Sequence, residues 1–168
     1  MNDLGTFTRH GDAIDATFTR HYPQPVAQVW AALTEPARLA KWMGPSEVDP
    51  RVGGAIRMMI GSDGAMEGVI RVFDAPRVLE FTWSNRDCAR GLIRYTLTPE
   101  AGGTRLDFAH EGMPYVSSVL MLPGWHVLFS ALAAELAGGA PTEPWTAWKE
   151  MQGTYLAAYG LEGAARTH

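Results

Sequence analysis

Between residues 55 and 110 the chain alternates apolar and polar positions in short runs broken by turn residues. Ala55–Ile60, Met66–Phe73, Val78–Trp83, Leu92–Thr98 and Thr104–His110 each read as a strand, because side chains two apart share one face of a pleated chain. Leu79, Phe81 and Trp83 fall on one face, as do Ile93, Tyr95 and Leu97, and again Leu106, Phe108 and His110. The opposite faces carry Glu80, Arg94, Arg105 and Asp107. The breaks at Ser62-Asp63-Gly64, Asp74-Ala75-Pro76, Ser84 to Asp87 and Pro99 to Gly103 are turn-forming and too short for a helical crossover, so the strands should pair antiparallel. Upstream, Ile14, Ala16 and Phe18 alternate within Ile14–His21 and predict one more strand.

Elsewhere the period is helical. Val26, Val29, Trp30 and Leu33 recur at helical spacing behind Pro25. Thr34 predicts an N-cap and Pro36 the first turn of a second short helix, with Leu39, Trp42 and Met43 on its apolar side and Gly44-Pro45 as its stop. Trp125, Leu128, Phe129, Leu132 and Leu136 form a long stripe that begins near Ser117 and ends at Gly138-Gly139. Pro123 falls inside that stripe and predicts a kink or a restart. A last helix is expected over Pro144–Tyr159, with Trp148, Met151, Tyr155 and Tyr159 on one side and Gly160 as stop.

A sheet with one aromatic face needs a cover, and the long helix supplies it. The expected architecture is α+β, a helix-grip fold. A curved antiparallel sheet of six or seven strands wraps around the long C-terminal helix, with two short helices after the first strand and one appended helix. Residues 1–12 are expected to be a loose polar arm, 13–138 the domain, and 139–168 an appended helix on or beside it.

Composition narrows the function. At 46% apolar and 19% charged, 168 residues suit one folded domain. A net charge of −4 without a basic stripe argues against nucleic acid as a partner. No apolar run reaches the length of a membrane span, and the first residues lack the apolar core of a signal peptide. The single cysteine, Cys88, excludes an internal disulfide, and a cytoplasmic location is expected.

Catalytic and metal signatures are weak. His110-Glu111 are adjacent, so on a strand they point to opposite faces, and no HxxxH, HExxH or GxSxG spacing exists. The glycine pairs at 53–54 and 102–103 read as turns, with no phosphate-loop pattern around them. Cys88 reads as an incidental exposed thiol in a polar turn, and His126, at the edge of the long stripe, as partly exposed. No metal, cofactor or catalytic residue is assigned. The strongest feature is collective: Trp42, Trp83, Tyr95, Phe108, Trp125 and Phe129 should converge between sheet and helix, as a packed core or as the wall of a ligand cavity. His110, at the end of an apolar strand face, is either a structural histidine or a polar anchor in such a cavity.

Several motifs together carry a resemblance. Pro25-x-x-x-Val29-Trp30-x-x-Leu33-Thr34, Leu39-x-x-Trp42 with Gly44-Pro45, and Gly53-Gly54 with Asp63-Gly64 and Gly68 occur in this order. Pro76-x-x-Leu79-x-Phe81-x-Trp83, Thr104-x-Leu106-x-Phe108-x-His110-x-Gly112, and Gly124-Trp125 with Leu128 and Leu132 follow. Over residues 14 to 138 the chain resembles the START-like superfamily and, within it, the activator of Hsp90 ATPase homologue family. The resemblance implies a cavity for a small apolar or amphipathic molecule, bounded by Trp42, Trp83, Tyr95, Phe108, His110, Trp125 and Phe129. Tyr95, His110 and the indole N–H groups would be its few orienting polar groups, with the molecule between Tyr95, His110 and Trp125. Two other readings stay open. One is an enzyme of the polyketide cyclase or aromatase kind using His110 or Tyr95 as acid or base. The other is a chaperone-accessory interaction module presenting the Trp145–Tyr159 helix. The chain has room only for the START-like module, so Hsp90 is not expected as a partner; a homodimer is left open.

Overall fold

Alternation in the middle of the chain builds a single curved antiparallel sheet. In the computed structural model, which describes residues 3–60, 64–85, 90–141 and 143–160, eight strands lie in the order β1-β2-β8-β7-β6-β5-β4-β3. They are β1 (Thr6–His10), β2 (Ala13–Tyr22), β3 (Ser46–Val48), β4 (Ala55–Met59), β5 (Ala65–Asp74), β6 (Val78–Trp83), β7 (Gly91–Glu100) and β8 (Gly103–Pro114). The run from β3 to β8 is an antiparallel meander, and β2 closes it against β8. Register shifts at Ile14/Ala16 and at Ile70/Val72 are the kind of irregularity that bends a strand and deepens a sheet's curvature.

The long helix packs on the buried aromatic face of the sheet. The helices are α1 (Val26–Thr34), α2 (Pro36–Leu39), α3 (Ser118–Leu136) and α4 (Trp148–Tyr159), with single 3-10 turns at Tyr115–Ser117 and Pro144–Thr146. The aromatic faces stack in register: Leu79 opposite Tyr95, Phe81 opposite Ile93, Tyr95 opposite Phe108 and Ile93 opposite His110. Phe129 of α3 closes on them, 5.4 Å from the Phe18 ring and 5.0 Å from that of Phe108. The fold is the helix-grip α+β arrangement. Among the described residues no helix is long and apolar enough to cross a membrane.

Several local expectations are corrected. Thr6–His10 is not a loose arm: it pairs with Ala13–Thr17 as β1, held further by the Thr6–Thr17 hydroxyl contact. The strand count exceeds the expected six or seven because β1 and the three-residue β3 join the sheet. Thr34 does not cap α2: its hydroxyl donates back to the Trp30 carbonyl within α1, and Glu35 stands at the cap. The long helix does not restart at Pro123 but runs through it as one 19-residue element. Proline has no N–H for the Val119 carbonyl, and the neighbouring Leu120 carbonyl accepts a bond from the Trp148 indole. The readings made of Ser62-Asp63, Arg86-Asp87, Cys88 and residues 161–168 lie outside the described residues.

The appended helix packs on the domain. Tyr155 is fully buried. Its hydroxyl accepts the Gly5 N–H at 2.7 Å and lies 3.1 Å from His126 Nδ1 on α3, while the Tyr159 hydroxyl donates to the Gly5 carbonyl at 2.8 Å. One backbone unit ahead of β1 is thus gripped by two tyrosines of α4.

Candidate functional site

Between the end of α2, the β4 end of the sheet, the first half of α3 and the segment leading into α4 lies a cavity of about 940 Å³. Five of the six tryptophans line it: Trp42, Trp83, Trp125, Trp145 and Trp148. Met43, Met59, Met121 and Leu128 add to the apolar wall, and Lys41 and Glu143, both exposed, stand at its edge. The size matches that of small-molecule sites, about 300–1,000 Å³.

Each wall has a local cause. Trp42 follows α2, and its indole N–H donates to the Ala32 carbonyl of α1 at 2.9 Å. The α2 segment is tied to α3 by a two-bond ion pair, Arg38 Nε and Nη2 to Glu135 at 2.8 and 2.7 Å, with a third bond from Arg38 to the Gln28 carbonyl. The hydrogen bond to Glu135 raises the Arg38 pKa, so the guanidinium stays charged. Gly44 has φ +135°, and a Cβ there would strike the Met59 carbonyl, so only glycine lets the chain press against β4 beside Trp42.

On the sheet side, Trp83 pairs with Gly91, and a Cβ at Gly91 would strike His110 Nε2. That missing side chain is the space in which the His110 imidazole sits. His110 is fully buried, and its Nδ1 accepts the Trp125 indole N–H at 3.1 Å. Burial lowers its pKa to about 3, so at neutral pH the ring is uncharged and, with Nδ1 accepting, carries its proton on Nε2. His110 therefore sets the orientation of Trp125. The Trp125 ring then packs 5.2 Å from Trp83, 4.4 Å from Phe108 and 5.8 Å from Phe129, nearly parallel to the last.

The seven residues expected around a ligand thus separate into two layers. Trp42, Trp83 and Trp125 line the cavity. Tyr95, Phe108, His110 and Phe129 stand behind them. The space between Tyr95, His110 and Trp125, where a small molecule was expected, is filled by rings: Phe108 lies 5.2 Å from Tyr95 and 4.4 Å from Trp125. Tyr95 is buried, which pushes its phenol pKa far up and keeps it protonated. His126 is not partly exposed but buried at the α3–α4 contact. Trp145, Trp148, Met59 and Met121 line the cavity although the sequence did not place them at a ligand site; the Trp145-x-x-Trp148 spacing beside Pro144 was the available signal. Among the described residues no three His, Cys, Asp or Glu side chains gather to hold a metal ion.

A helix-grip sheet closed over a long helix defines a START-like protein. The chain belongs to the family described as activator of Hsp90 ATPase homolog 1-like protein, whose profile matches residues 23–137. Solved structures share the fold. CalU16 from Micromonospora echinospora superposes with a TM-score of 0.73 at 23% identity, covering 91% of this chain and 95% of that one. EF2215 from Enterococcus faecalis, a conserved protein of unknown function, gives 0.73 at 20%, covering 92% and 89%. DynU16, from the dynemicin biosynthetic locus, gives 0.68 at 26%, covering 74% of this chain and 48% of its own. No curated protein matches the sequence.

Proposed function

We propose that this protein binds a small apolar or amphipathic molecule in the tryptophan-lined cavity. The observation that carries the reading is that five tryptophans line a space of about 940 Å³, with Trp42, Trp83 and Trp125 joining that wall to the buried core. Indole faces give a large apolar contact area at little conformational cost, which suits recognition of a flat hydrophobic body. The exposed Lys41 and Glu143 leave room for a polar end at the mouth. The solved relative from a biosynthetic locus is compatible with a small organic ligand.

The geometry gives less support to the two rival readings. An acid–base role for His110 or Tyr95 is disfavoured because neither lines the cavity and His110 is engaged by Trp125. An interaction module built on the last helix is disfavoured because Tyr155 is buried against the domain.

Gly124 gives the test. It lies on α3 in the cavity wall, and a Cβ there would meet only the Trp148 indole nitrogen, at 3.9 Å. Gly124→Leu should therefore fill the cavity without disturbing the core. Titration with N-phenyl-1-naphthylamine, followed by probe emission, should show saturable binding to the wild type. The variant should bind at least tenfold more weakly with an undiminished melting temperature. Equal binding by both proteins would refute the assignment.

A further inference from the structure

Gly124 is a buried position with room for a side chain that it does not have. It lies inside α3 directly after Pro123, so the helix carries its two weakest formers in succession there. Backbone geometry does not require the glycine. Gly44 and Gly64, in the same cavity wall, have φ of +135° and +108°, whereas Gly124 has no positive φ. Packing does not require it either, since a Cβ would meet only the Trp148 indole nitrogen, at 3.9 Å. Gly153, the other glycine inside a described helix, also has room around it, but it is exposed on α4 and does not line the cavity. Protein interiors are close-packed, and a buried helical position is ordinarily filled by its own side chain. The room at Gly124 is therefore kept for something other than a side chain.

Two indoles stand beside this bare stretch of helix, and hydrogen bonds pin both: Trp125 to His110 and Trp148 to the Leu120 carbonyl. The slot is thus formed before anything binds. The residues that α3 gives to the cavity, Leu120, Met121, Gly124, Trp125 and Leu128, bring no polar side chain. The polar side chains of the wall, Lys41, Asn85 and Glu143, all belong to other segments. A space of about 940 Å³ is at the upper end for small-molecule sites, and a two-ring molecule leaves most of it empty. Resting on the ligand-binding reading above, we infer that the ligand is a planar polycycle of three or more fused rings. Its ring system lies against the α3 backbone at Gly124, and any polar end points away from α3. Gly124 is then a specificity-determining residue: its missing Cβ sets the breadth of ring system that the site admits.

The probes are quinoline and acridine, planar molecules that differ by one fused ring, titrated at a mildly alkaline pH where both are uncharged. Wild-type protein should bind acridine at least tenfold more tightly than quinoline. Gly124→Ala should bind acridine about tenfold more weakly than the wild type and quinoline within twofold of it. The same variant should melt about 2–4 °C higher, because alanine favours the helix and nothing stands in its way. In the wild type, nuclear Overhauser contacts should join the acridine ring protons to the Gly124 Hα protons. If Gly124→Ala binds acridine as tightly as the wild type, or those contacts are missing from the acridine complex, the inference is overturned while the apolar-ligand reading stands. If the variant loses both probes and melts lower, the glycine serves the fold and the inference is likewise overturned. If neither probe binds the wild type, the apolar-ligand reading falls as well.

Discussion

His110 and Trp125 are joined by a buried hydrogen bond, indole N–H to imidazole Nδ1 at 3.1 Å, that connects the last strand of the sheet to the helix lying across it. The bond turns one face of Trp125 to the cavity and fixes a neutral histidine in the core. His110→Leu keeps the volume roughly constant but leaves the Trp125 N–H buried and unmatched. It should cost about 1–3 kcal/mol in urea unfolding and shift the tryptophan emission of the folded state. Unchanged stability and emission would show that the bond does not orient Trp125.

Two histidines make stability depend on pH. Burial lowers His110 to about 3 and His126 to about 4, both below the ordinary value near 6.5. The unfolded chain therefore binds protons that the folded one refuses as pH falls below about 6.5, and stability is lost in that direction. Each histidine should contribute a slope approaching about 1.4 kcal/mol per pH unit. Urea midpoints between pH 7 and pH 5 should fall accordingly. In His126→Asn, which keeps an acceptor for Tyr155, the slope should be roughly halved. A flat profile in the wild type would contradict the neutral, buried state of both rings.

The Arg38–Glu135 pair holds the α2 segment, and with it Trp42, against α3. The Glu135 side chain is 4% exposed and that of Arg38 23%. Arg38→Met strands a buried carboxylate and should destabilise by about 3 kcal/mol. Arg38→Met with Glu135→Leu should recover most of the loss, because no charge is left uncompensated. A double variant as unstable as the single would show that the pair acts by packing alone.

Tyr155→Phe tests the clasp between the chain's two ends. It leaves the Gly5 N–H and His126 Nδ1 without the shared hydroxyl. The expected loss is about 1–3 kcal/mol. Amide exchange should accelerate in β1 and at Gly5 more than in β6 to β8, since only the former depend on that contact. Uniform acceleration would mean that the hydroxyl supports the whole fold rather than the edge.

The sheet and its burial pattern were legible because period-two alternation is strong where one face is aromatic: Leu79, Phe81 and Trp83 are all buried as expected. The edge strands were not. Thr6–His10 buries only part of Phe7, and Ser46–Val48 spans three residues, so neither shows an alternation. Alternation places Tyr95 and His110 on the inner face but cannot tell a wall from the layer behind it. That distinction depends on Gly91 admitting the imidazole and on Trp125 bonding to it, a contact between separate elements. Trp145 and Trp148 escaped because they join the site only when the segment after Gly138 folds back over α3. Pro123 pointed to a kink or a restart; the helix does not restart, and a carbonyl of that turn is bonded to Trp148.

The most direct test of the cavity is a crystal structure of the protein grown with a saturating concentration of N-phenyl-1-naphthylamine. The account predicts density for the probe among Trp42, Trp83 and Trp125, with Phe108 and His110 unmoved behind them. An empty cavity with the probe seated elsewhere, or a probe that enters only by displacing Phe108 from between Tyr95 and Trp125, would contradict it.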